Sequence, residues 1–137
     1  MSEAGEVRRE PYGAGLSISE SVVAAGPGSW VHLSGRVPLD QAGEVLVGPM
    51  REQAESCFAQ IEAALAKVGA ALADIVKLTV FTVDLAALPE LNELRAELLG
   101  AHAPASTAVE VSALFGGARL EIEAVAFVPA AAAEGAA

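Results

Sequence analysis

Aromatic residues make up only 4% of this 137-residue chain, so its interior has to be filled by aliphatic side chains and alanine. Cysteine occurs once, at Cys57, which excludes an intrachain disulfide. Basic residues are also few: eight Lys and Arg against eighteen Asp and Glu leave a formal charge of −10, and the eight are scattered. Such a surface repels a polyanion, so no nucleic-acid partner is expected. No run of about eighteen apolar residues is present to span a membrane. The opening MSEAGEVRRE has no apolar stretch of the signal-peptide kind, and the expectation is a soluble cytoplasmic protein with no membrane partner. His32 and His102 stand too far apart for a metal-ligand pair and are read as structural; phosphate-binding glycine loops and a GxSxG elbow are missing too.

What is there suffices for one domain with a real core. Residues 1–14 are polar and glycine-bearing, and 129–137 are rich in alanine, so both ends are expected to fray and to leave a single folded domain over 15–128. Residues 22–25, the turn GPGS and the segment WVHLSG read as strand, tight turn and strand. Over 51–68, Ala54, Cys57, Phe58, Ile61, Leu65 and Val68 recur at three- and four-residue spacing, the signature of an amphipathic helix with Cys57 as a core thiol. DIVKLTVFTV, residues 74–83, alternates like a strand with two different faces. A second helix follows, with Pro89 in its first turn, a stripe of Leu91, Leu94 and Leu98, and Gly100 to stop it. Two more strands, about 106–114 and 119–128, close the domain.

Strand, strand, helix, strand, helix, strand, strand is satisfied economically by an α+β fold: a mixed sheet with both helices on one face. The other face is then uncovered. Ala108, Val125 and Phe127 are assigned to it, which favours an oligomer. In LFGGAR, Gly116-Gly117 signals a two-residue hairpin, with Ser112 opposite Glu121 and Glu110 opposite Glu123. On that register Ser106, Ala108, Glu110, Ser112, Glu121 and Glu123 share one face. Glu110, Glu121 and Glu123 need compensation there, and Lys77 is the nearest candidate. The set is either an ion network or a site in which one glutamate with a raised pKa handles a proton or orients a water.

Several segments together resemble one family: SGRVPLDQAGEV, EQAESCFAQIEAALAKVGAAL, DIVKLTVFTVDL, LPELNELRAELLGAHAPAS and TAVEVSALFGGARLEIEAVAF. They are similar to the Rid family, also called YjgF or reactive intermediate deaminases. The resemblance implies a chorismate-mutase-like mixed sheet, a homotrimer around a central barrel, and a small-metabolite cleft at each subunit interface. It also implies hydrolysis of enamines and imines to a keto acid and ammonia, without metal or cofactor. Some members carry an endoribonuclease label, which the charge of −10 makes a poor guide here.

PASTAVEV resembles PARSCVEV of the deaminating members, in which the arginine holds the substrate carboxylate. Here that position is Ser106, and the cysteine two residues on is Ala108. A guanidinium offers a charged planar fork and serine a single neutral donor. Charge-assisted bonds contribute roughly 1.5–3 kcal/mol each, so the loss should weaken an imino acid by about tenfold to a hundredfold. By the same resemblance Glu121 matches the water-positioning glutamate, Gly35 a glycine whose backbone lines the site, Asn92 a recurrent asparagine, and Ser21 the place of a tyrosine that Tyr12 could supply instead. Three readings follow. The chain is a divergent trimer whose ligand is not a simple carboxylate, or an ordinary deaminase using Arg36 or Arg95 as its cation, or a non-catalytic ligand-binding scaffold. The bland alternative for both arginines is a surface position, with Arg95 in intrahelical pairs.

Overall fold

The computed structural model describes residues 3–13 and 15–132. Three- and four-residue spacing gives α1 (Met50–Ala66), which buries Ala54, Cys57, Phe58, Ile61 and Leu65. It also gives α2 (Leu88–Leu99), with Pro89 at its start and Gly100, φ 52°, ending it. Helix α1 stops at Ala66, so Val68, expected on its stripe, is 60% exposed. The strands are β1 (Glu6–Pro11), β2 (Ser19–Ala25), β3 (Gly28–His32), β4 (Ile75–Thr82), β5 (Ala105–Glu110) and β6 (Leu120–Pro129). Strand β1 lies inside the amino-terminal segment expected to fray: Val7, Arg8 and Arg9 pair antiparallel with Ala24, Val23 and Val22. Its Arg9 donates to the carbonyls of Ala73, Ile75 and Ala103. Residues 1, 2, 14 and 133–137 of the two segments expected to fray lie outside the described residues.

All six strands form one mixed sheet in the order β1-β2-β5-β4-β6-β3. Strand β4 alternates buried and half-buried residues, and its inward Leu78 and Val80 join Ile122 and Ala124 of β6 and the apolar stripes of both helices in one core. Each large aliphatic side chain so buried contributes about 1.5–3 kcal/mol. Both helices therefore cover the same face. Among the described residues the opposite face has no such cover: Trp30 on β3 is 55% exposed and Val109 on β5 is 38% exposed.

The strand order corrects two expected hairpins. Strands β2 and β3 flank GPGS but do not pair with each other; β2 pairs with β1 and β5, and β3 with β6. Strands β5 and β6 flank Gly116-Gly117, and β4 lies between them, parallel to β5 and antiparallel to β6. Stepping over an intervening strand means covering two inter-strand spacings, about 9–10 Å, which a two-residue loop cannot do. Residues 111–119 make that step instead. The glycine pair supplies left-handed backbone within it, at φ 64° and 76°, and a Cβ on Gly116 would stand 2.5 Å from Val45 Cγ2.

That topology separates the residues assigned to one acidic face. Through β4, Ser106 is in register with Leu78 and Ala124, Ala108 with Val80 and Ile122, and Glu110 with Thr82 and Leu120, all in rows on the helix side. Glu121 is in register with Phe81 and Val109, and Glu123 with Thr79 and Thr107, on the uncovered side. Ala108 packs against the core instead of facing outward. Val125 keeps the uncovered face, and Phe127 lies there beneath the Trp30 ring, with centroids 4.9 Å apart.

Candidate functional site

On the helix side, the site residues come from α2 and β5. Asn92 and Arg95, three apart on α2, share one helix face. Arg95 is only 4% exposed, which corrects the surface position expected from its glutamate neighbours. It lies four residues after buried Leu91, a spacing that already places it on the inward stripe. Its Nη1 donates to Ser106 Oγ at 2.6 Å and its Nη2 to Asn92 Oδ1. Nε is buried without a partner, and no carboxylate pairs with this guanidinium among the described residues. Burial lowers its pKa, but an arginine starts so high that it remains charged.

These three side chains line a cleft of about 270 Å³ whose other walls are Gly15, Leu16, Ser17, Ile18, Leu88 and Ala108. The 15–18 loop was not foreseen, since its neighbours carry no periodicity; the one signal was Gly15, which takes φ 69° there. Ser21 is not in this lining but on β2 opposite Glu10. Tyr12 is 56% exposed and meets the loop through its backbone, its N–H donating to Ile18 O at 3.3 Å.

On the uncovered side, the site residues come from β6 and the segment after β3. A Cβ on Gly35 would stand 2.2 Å from Glu121 Oε1, so only glycine leaves the carboxylate its present place. Arg36, next in the chain, exchanges backbone hydrogen bonds with Ile122 of β6, and its Nε is buried without a partner. Cys57 donates its thiol to Arg36 O at 3.2 Å, and burial, reinforced by Glu121, pushes its pKa up to about 12. It is a core thiol and not a nucleophile.

Lys77 does not compensate the glutamates as expected. Its Nζ donates to Thr107 Oγ1 at 3.0 Å, and among the described residues it forms no ion pair with Glu110, Glu121 or Glu123. Glu110, on the other side of the sheet, accepts from Leu85 N–H at 3.2 Å. The structure thus brings Asn92, Arg95, Ser106 and Ala108 together, and separately Gly35 and Glu121; Arg36 bridges Ile122, in a helix-side row, and joins neither group. Because side chains of one strand alternate between faces, no rotamer change in a single chain can aim both groups at one ligand.

Comparison with known proteins agrees with this frame. The chain is 38% identical over 101 residues to a RutC family protein of Pyrococcus abyssi, covering 73% of this chain and 80% of that one. It is 30% identical over 102 residues to a 2-iminobutanoate/2-iminopropanoate deaminase of Dermatophagoides farinae, covering 74% and 80%. Among solved structures, a Rid-family protein of unknown function from Yersinia pestis superposes with a TM-score of 0.76 at 28% identity, covering 88% of this chain and 97% of that one. The endoribonuclease L-PSP family profile matches residues 15–128, and with that span the chain belongs to this family, which is also known as YjgF or Rid.

Proposed function

We propose that this protein hydrolyses a small imine or enamine metabolite in a cleft completed between subunits of a homotrimer. One copy supplies Glu121 and Gly35, and its neighbour supplies the α2–β5 cleft. The observation that carries this reading is the placement of the two groups on opposite faces of one sheet. A second copy is the way to bring them to a common ligand, and the uncovered face with Trp30 and Val109 supports such packing around a central barrel. Relatives named as imine deaminases support the chemistry.

In the reaction, the Glu121 carboxylate takes a proton from water as its oxygen attacks the imine carbon, giving a carbinolamine. That proton passes to the imine nitrogen to complete the carbinolamine; the hydroxyl proton then follows through the carboxylate to the same nitrogen as the C–N bond breaks, so ammonia leaves with both protons of the water and its oxygen stays as the carbonyl. The missing Cβ of Gly35 leaves the carboxylate room where it stands, and no cofactor is called for. The test is ammonia release from imines generated in situ by an amino-acid oxidase. Glu121→Gln is expected to lower kcat by about a hundredfold or more, the usual scale for a positioned acid–base group. Unchanged turnover in Glu121→Gln removes the glutamate from the reaction and with it this mechanism.

A further inference from the structure

The Arg95 guanidinium is the part of the cleft that the fold itself does not explain. A charge this buried is normally met by an opposite one, because desolvation is costly and neutral hydrogen bonds only partly offset it. Arg95 has two neutral acceptors, Ser106 Oγ and Asn92 Oδ1. They use two of the five N–H donors a guanidinium carries. Both acceptors fix the plane of the fork without cancelling its charge. The cleft beside it is otherwise lined mainly by Leu16, Ile18, Leu88 and Ala108. A planar cation in a cleft with mainly aliphatic walls suits a small molecule with one planar anionic group and a short apolar chain.

We infer that Arg95 is the carboxylate anchor of this protein, delivered from helix α2, and that Ser106 orients it. Position 106, where PARSCVEV sequences carry arginine, has become the acceptor that holds an arginine arriving from the neighbouring helix. The substrate class narrows accordingly to small 2-imino or enamine carboxylates with a short aliphatic side chain. This assignment rests on the hydrolase reading for the reaction, but not for the binding of the acid. It also explains why an arginine at position 106 has no place while Arg95 is present: two guanidinium groups would share one pocket.

The experiment measures both steps on the full-length protein. Binding of 2-oxobutanoate, the keto acid that hydrolysis of 2-iminobutanoate yields, is followed by calorimetry and by melting-temperature shift. Turnover is followed on imines with and without a carboxylate. Arg95→Met, close in length and uncharged, is expected to weaken 2-oxobutanoate and raise KM for carboxylate imines by at least about tenfold, with KM for the others unchanged. Arg95→Lys, which keeps the charge and loses the fork, should fall between and covers the case in which Arg95→Met does not fold. The double variant Arg95→Met with Ser106→Arg should regain part of the binding, whereas Ser106→Arg alone should not gain.

Wild-type-like 2-oxobutanoate binding in Arg95→Met, or its loss in Arg36→Ala instead, overturns the anchor. Equal turnover of both imine sets with Arg95→Met unaffected overturns the anchor and leaves the hydrolase reading standing. Arg95-dependent binding with no imine turnover does the reverse.

Discussion

On the helix side of the sheet, Arg95 is tied to Ser106 and Asn92, and one chain supplies the residues that line the cleft around it. On the uncovered side, the Glu121 carboxylate stands over Gly35 and accepts no hydrogen bond among the described residues. The first half is assembled by folding. The second is only given room, and its partners have to come from ligand, water or another copy. If the two sides divide binding and chemistry as proposed, substitutions on them should leave different kinetic signatures.

The largest effect should come from the uncovered side. Val109→Asp puts a charge in the row of Phe81 and Glu121, and burying it between copies costs several kcal/mol. Light scattering should show the assembly falling to single chains, with imine hydrolysis lost in the same variant. An oligomer that stays intact and active in Val109→Asp would show that the two halves meet without that face. Next comes Gly35→Ala. The new Cβ displaces the Glu121 carboxylate, and a misplacement on the order of 1 Å can cost about a hundredfold in rate. Here kcat should drop while 2-oxobutanoate binding, read by calorimetry, stays near wild type. The smallest is Ser106→Ala, which removes one acceptor from Arg95 and should raise KM for carboxylate imines by about tenfold at unchanged kcat. A kcat effect there would mean that the helix side also takes part in chemistry.

Much of this was legible in the sequence, for identifiable reasons. The two helices and β4 follow from side-chain period, and the α+β class from their order. Glycine and proline marked turns correctly but could not say which strands those turns join. That depends on β4 taking a place between β5 and β6, a long-range choice with no local signature. Misreading that choice put Ser106 and Glu121 on one face and left Lys77 as the apparent counter-charge. Arg95 looked like a solvated residue because Glu93 and Glu97 flank it, yet its spacing from Leu91 already placed it inward. Charge identity was weighted over helical phase, and phase decided.

The position of β6 has a consequence for how the chain comes to be folded. The final strand fills the gap between β4 and β3, two elements separated by about forty residues of sequence. Until β6 is in place, β3 has no pairing partner in the sheet, and Ile122, Ala124 and Ala126 are absent from the core. A chain growing from a ribosome therefore holds α1 and β4 with an open apolar edge from the completion of β4 until β6 has been made, a condition that exposes nascent chains to aggregation. Closure comes late and all at once, with the same ten residues that carry Glu121 into position.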